Sequence, residues 1–189
     1  MLKAPDTAKP EGLRDRAIME TLFSSGMRIS ELVALHVEQL APLMQDRQET
    51  ERTLELPIVG KGKHIRTIFI SPRASHWIRA YLASRGDNLK PLFINSRSRN
   101  PESKRLTPRA IQLLIARHAR LAGLSKKVTP HTMRHTYATD LLSHGADLRS
   151  VQELLGHKNV STTQVYTHVT NKRLRDIHEQ FHGGQEFVE

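Results

Sequence analysis

The stretch from Thr129 to His168, TPHTMRHTYATDLLSHGADLRSVQELLGHKNVSTTQVYTH, constrains the fold most, because it sets three short helices one after another. Thr129 then Pro130 is an N-cap followed by a first-turn proline. Met133, Ala138 and Leu141 form an apolar stripe, and Gly145 is the stop. Asp147 caps the second helix, Val151, Leu154 and Leu155 face inward, and Gly156 ends it. Ser161 opens the third. This frame carries a polar cargo. His131 and Arg134 are three apart and share one helix face. His157 falls just past a helix end, and Tyr166 lies about two and a half turns further along the chain. Two histidines, an arginine and a tyrosine can thus converge on one point.

Upstream, the chain alternates helical and strand-like runs. Residues 1–10 hold two prolines and read as a linker, or as the tail of an earlier helix. Leu13, Ala17, Ile18, Leu22 and Phe23 recur at helical spacing until Gly26 breaks the pattern. A second short helix follows over Ile29–Leu35, with Arg28 at the junction and Glu31 one turn later. Taken alone, that pair is a surface contact worth about a few tenths of a kcal/mol. Residues 41–52 are a polar loop. TLELPIVGKGKHIRTIFIS reads as two strands around a Gly60-Lys61-Gly62 turn. The hairpin is either a plain basic surface or a finger carrying a lysine toward a phosphate.

Ala74–Ser84 reads as a helix with Trp77, Ile78, Tyr81 and Leu82 in the core. Its rings alternatively serve as base-stacking platforms. Leu92-Phe93-Ile94 is a short buried run, and residues 95–105 form a basic loop. Thr107-Pro108 starts a helix to about residue 122 with Ile111, Leu114, Ile115 and Ala119 inward. Arg109, Arg117, His118 and Arg120 then make an outward basic face, suited either to a DNA groove or to solubility. Leu174, Ile177 and Phe181 line one side of a last helix over 171–182, before the tail GGQEFVE. The fold expected is mainly α with a small antiparallel β-sheet.

The chemistry is bounded by what the chain lacks and by its charge. There are no cysteines, so thiolate zinc sites, disulfides and cysteine nucleophiles are excluded. His131 and His135 have the i, i+4 spacing of zinc ligands, but no HExxH motif occurs and the neighbouring arginines repel a cation. No GxSxG elbow and no tight carboxylate pair is found. No apolar run approaches the roughly 20 residues of a membrane span, and the N-terminus lacks a signal-peptide core, so a soluble cytoplasmic protein is expected. The net charge of +10 is spread along the chain, which suits nucleic acid without proving it.

A cationic cluster of this kind suits one task, holding a phosphodiester and its transition-state charge. A cationic pocket also favours a developing phenolate, which makes Tyr166 a nucleophile for phosphorus. Arg28 and Arg134 can clamp the two non-bridging oxygens. His131 and His157 can donate to phosphate or move the phenol proton, and a lysine can protonate the leaving oxygen. The covalent ester retains the bond energy, so no cofactor and no metal is expected.

The motifs GMRISELVAL, VGKGKHIRTIFI, TPHTMRHTYATDLLSHGADLRSVQELLGH and STTQVYTHV occur in order over most of residues 12–182. Together they resemble the catalytic domain of the tyrosine recombinases (the phage-integrase family), most closely its Xer-type members. The resemblance implies that Arg28 is the first catalytic arginine, with Glu31 a supporting acid. Lys61 is the hairpin general acid, with Lys63 a less favoured substitute. His131 and Arg134 match the HxxR pair, His157 the next histidine, and Tyr166 the nucleophile.

It further implies DNA cleavage and rejoining through a 3′-phosphotyrosine, serving integration or the resolution of chromosome or plasmid dimers. The expected partners are double-stranded DNA and a homo- or hetero-tetramer on it, joined through segment 171–189, with Arg109, Arg117 and Arg120 as further DNA contacts. The expected organisation is a leader over 1–10, the catalytic domain over 11–182 and a tail over 183–189. The family's usual N-terminal core-binding domain has no counterpart in these residues, and the 41–52 loop is longer than expected. Two alternatives stay open: a nicking and relaxing enzyme like the type IB topoisomerases, and a non-catalytic DNA-binding fragment.

Overall fold

The computed structural model describes residues 1–41, 43, 52–60, 65–98, 100, 104–156 and 167–182, with the side chains of 167–173 left out of the description. Helix α1 (Pro10–Ser25) is the central element, packed against α3 (Pro72–Ala83), α5 (Pro130–Ser143) and strand β2 (Ile65–Ile70). Because it is enclosed on several sides, α1 buries polar residues beside Ala17, Ile18, Met19 and Leu22. These residues find polar partners, as desolvation requires, although Arg16 Nε has no hydrogen-bond partner among the described residues. Glu20 meets Arg16 at 2.8 Å and Arg73 at 2.9 Å, and the Thr21 hydroxyl donates to the Ala17 carbonyl at 2.7 Å. Gly26 ends the helix in the left-handed region (φ 57°), its N–H donating to the Leu22 carbonyl.

The short helix α2 (Ile29–Ala34) and a 3₁₀ turn (Val37–Leu40) follow. Strand β1 (Leu54–Val59) then pairs antiparallel with β2, Leu54 opposite Ile70 and Val59 opposite Ile65. Both faces of β2 are covered. Ile68 and Ile70 join the main core with α1 to α3 and α4 (Pro108–Leu121), whereas Phe69 points into a second cluster with Tyr137, Leu141, Val151, Leu154, Leu155 and Leu174. This mainly helical architecture with a two-stranded antiparallel sheet is the one expected.

The capping signals hold where they can be read. Thr107 accepts from the Ala110 N–H at the start of α4 (Pro108–Leu121), and Thr129 from the Thr132 N–H at the start of α5, each at 3.1 Å. Asp147 accepts from the Ser150 N–H at 3.0 Å to open α6 (Leu148–Leu155), and Gly156 closes it at φ 66°.

One expectation needs correction. His118 does not belong to the outward basic face of α4. It is buried, its Nε2 2.9 Å from Asp15 Oδ2 of α1, because it lies four residues past Leu114 on the inward stripe. Tyr81 lies in the core as expected, buried and stacked on Phe93 with ring centroids 5.7 Å apart, which leaves the base-stacking alternative without support. Trp77 is half-buried beneath the Arg16 guanidinium, 4.8 Å from its ring centre.

The last helix, α7 (Thr167–Phe181), lies on the chain's own core. Leu174 is buried, His178 Nε2 donates to the Ser24 carbonyl at 2.7 Å, and His182 bridges Asp140 Oδ2 at 2.6 Å and the Phe23 carbonyl at 2.8 Å. Burial pushes the His178 imidazole down to about 4 from an ordinary 6.5. A depressed folded value means that protonation favours the unfolded chain. The stability that neutral His178 contributes is therefore complete above pH 6.5 and lost as pH falls toward 4, about 3 kcal/mol in all. Denaturant titrations at stepped pH should show this loss, and His178→Gln, which keeps a donor for Ser24, should flatten it. Equal slopes for the two chains would remove His178 as the cause.

Candidate active site

The joint between α1 and α2, strand β2, the first turns of α5 and the end of α6 meet at one place. Arg28 is the N-cap of α2, and its backbone N–H donates to Glu31 Oε2 at 2.7 Å, the return half of a capping box. The Arg28 guanidinium donates to Glu31 Oε1 at 3.0 Å. The carboxylate is buried and takes a second arginine, Arg66 of β2, whose Nη2 lies 2.9 Å from Oε2. Burial alone would raise the Glu31 carboxyl. The Arg28 backbone N–H and the charge of Arg66 outweigh it and hold the group below the ordinary carboxylate value.

The end of α6 supplies the other half. The last carbonyls of a helix lack intrahelical donors and carry its negative pole. Here three consecutive carbonyls each receive a different arginine. Arg66 Nη1 donates to Leu154 at 2.6 Å, Arg134 Nη2 to Leu155 at 2.7 Å, and Arg28 Nη2 to Gly156 at 3.4 Å. The other nitrogen of the Arg134 fork, Nη1, donates to the Gly26 carbonyl at 2.6 Å, which ties α5 to the α1–α2 joint.

Three guanidinium groups around one carboxylate leave the site cationic. Burial first, then the charges of Arg28 and Arg66, lower Arg134 to about 10. It remains a cation at neutral pH, at an electrostatic cost that an arriving phosphate anion would offset. His131 is exposed on the first turn of α5, one turn before Arg134.

Arg28, Glu31 and Arg134 are therefore brought together. Lys61, Lys63, His157 and Tyr166 lie outside the described residues. In sequence, Lys61 and Lys63 fall between the paired strand ends Val59 and Ile65, and His157 directly follows Gly156. Arg109, Arg117 and Arg120 are all exposed on α4. Among the described residues no three His, Cys, Asp or Glu side chains converge as a metal site would need, and no helix is long and apolar enough to cross a membrane.

Arg66 is a site residue outside the expected set, although the sequence carries a signal for it. It shares strand parity with Ile68 and Ile70, and a charge on the inward side of a strand must find a partner.

Comparison with known proteins adds an independent line. The profile of the phage integrase family matches residues 1–173. Tyrosine recombinase XerD of Lacticaseibacillus casei is 40% identical over 188 residues, covering 96% of this chain and 59% of that protein. XerD of Pseudomonas aeruginosa is 39% identical over 183 residues, covering 96% and 58%. The chain thus spans less than two thirds of the length of these relatives. The crystal structure of XerA recombinase superposes with a TM-score of 0.64 at 32% identity, over 89% of this chain and 56% of that one. An integrase from mycobacterium phage Brujita shares the fold at a TM-score of 0.66 and 24% identity. With its matched length, its level of identity and its fold in agreement, this chain belongs to the phage integrase family.

Proposed function

We propose that this chain is the catalytic unit of a site-specific DNA recombinase, which cuts and rejoins DNA through a 3′-phosphotyrosine in integration or dimer resolution. The observation that carries the reading is the meeting of Arg28 and Arg134 at the end of α6, one residue before His157. Two forked cations at one point suit the two non-bridging oxygens of a phosphodiester, and their charge stabilises the five-coordinate transition state. Tyr166 Oη attacks phosphorus, its proton passing to His131 or His157. The P–O5′ bond breaks, and Lys61 protonates the departing 5′ oxygen. The bond to tyrosine conserves the ester, and a 5′-hydroxyl from a partner strand reverses the step. No metal or nucleotide enters this balance.

The substrate is double-stranded DNA, along which Arg109, Arg117 and Arg120 add phosphate contacts. The working assembly we infer is a tetramer on that DNA, joined through segment 171–189, with the cytoplasm as its compartment. Leu174, His178 and His182 sit on the chain's own core, so exchange between copies falls to the residues after His182.

The test is covalent trapping on a radiolabelled, nicked duplex whose cleaved fragment diffuses away. The wild-type chain should give a slow band on a denaturing gel. Tyr166→Phe should give none while binding DNA within about twofold, because only the reacting oxygen is lost. A band that persists in Tyr166→Phe would remove the assignment. Plasmid relaxation at any sequence would move the reading to the topoisomerase alternative.

A further inference from the structure

Arg66 holds two anchors at once beside the cationic site, the buried Glu31 carboxylate and the end of α6. Its side chain is largely buried, its Nε has no hydrogen-bond partner among the described residues, and its charge adds to those of Arg28 and Arg134. A neutral side chain there would relieve repulsion with Arg28 and Arg134 but would leave the buried Glu31 carboxylate with one cation fewer. What an arginine provides is reach in two fixed directions, one Nη to Glu31 and the other to the Leu154 carbonyl. Both Glu31 oxygens are thereby occupied: Oε1 by Arg28 Nη1, Oε2 by the Arg28 N–H and by Arg66. The Arg66 stem also lies beneath the turn that leads to His157. A Cβ built on Gly156 would stand 2.5 Å from Arg66 Cδ and 2.9 Å from Nε, so the backbone passes directly over that stem.

We propose that Arg66 is a positioning residue for strand cleavage: its fork locks the Glu31 carboxylate that holds Arg28 to the end of α6, where Arg134 and the turn into His157 are anchored. This rests on the recombinase reading and deepens it. Without Arg66 the carboxylate keeps one donor fewer and can rotate, and Arg28 loses its register relative to Arg134. Ground-state binding of DNA depends on many phosphate contacts and should change little. The oriented clamp on one phosphorus depends on this joint.

The test compares wild type, Arg66→Met, Arg66→Lys, Glu31→Gln and the Arg66→Met/Glu31→Gln double variant on the nicked duplex. Three quantities are read for each: the single-turnover cleavage rate at saturating DNA, the Kd for DNA, and the thermal midpoint. Arg66→Met should slow saturated cleavage by about ten- to a hundredfold, as expected for misplacing a clamp by roughly an ångström, with the Kd for DNA within about threefold. Arg66→Lys should recover part of the rate, since it keeps the charge beside Glu31 but cannot also reach Leu154. The double variant should be no slower than the slower single variant, because both act through one joint.

An Arg66→Met chain that cleaves at the wild-type rate would overturn the inference. So would a rate loss equal to the unfolded fraction, or losses that multiply in the double variant. A variant too unstable to assay leaves Arg66→Lys to decide, since wild-type cleavage by that chain would show that the second anchor is not needed. If wild type itself forms no adduct, the recombinase reading falls and takes this inference with it. Failure confined to the Arg66 variants leaves that reading standing.

Discussion

Arg134→Ala should slow strand cleavage by about a hundred- to a thousandfold, the usual cost of removing one preorganised donor from a developing oxyanion. The stability cost should be disproportionately small. Removing the side chain leaves the Gly26 and Leu155 carbonyls without their donor, which is unfavourable. It also removes a cation held at a cost: burial and the charges of Arg28 and Arg66 bring Arg134 down to about 10 from 12.5. The two effects oppose each other, so the thermal midpoint should move by only a few degrees while cleavage collapses. Arg134→Lys should not restore the rate, because a single ammonium cannot span Gly26, Leu155 and a phosphate together. Cleavage that merely follows the folded fraction of Arg134→Ala would show that the arginine is structural.

Gly26→Ala should damage the fold heavily. At φ 57° an alanine costs about 1–2 kcal/mol in backbone conformation alone. Its Cβ would also lie 2.8 Å from Tyr137 Cε1, and closer still to Cδ1, in a ring that is buried between α1 and α7. Overpacking of that kind adds about 1–3 kcal/mol, and the sum lowers the thermal midpoint by roughly 5–15 °C in a chain of this length. Gly26 also presents the carbonyl that holds Arg134, so cleavage by the remaining folded protein should fall too. A midpoint within about two degrees of wild type would mean that the Tyr137 ring moves aside more easily than its burial allows.

Local signals in the sequence located most of the frame. Thr107, Thr129 and Asp147 start helices and Gly26 and Gly156 stop them, because capping and left-handed backbone depend on the residue itself and its nearest neighbours. The motif residues Arg28, Glu31 and Arg134 were legible through the same local order and the family resemblance.

What the sequence hid was partnership over distance. The polar residues of α1 break its periodicity, since their partners Arg73 and His118 lie on other helices. His118 stands among arginines in the sequence and so reads as a surface cation, though its spacing from Leu114 and Ile115 puts it on the buried stripe. The basic character of the hairpin likewise masks Arg66, whose parity with Ile68 and Ile70 marks it as inward-facing. The seating of these three arginines on consecutive carbonyls at the end of α6 is not written in any local pattern. It exists only once the α1–α2 joint, β2 and α5 are brought together by packing.

The central claim is that this cationic seat serves a tyrosine nucleophile, and the most direct measurement is the identity of the protein–DNA bond. The trapped adduct would be digested with protease and nuclease, and the modified peptide sequenced by mass spectrometry. The account predicts a single nucleotide remnant attached through its 3′-phosphate to Tyr166. A remnant on any other side chain, or a 5′-phosphate linkage to Tyr166, would contradict it.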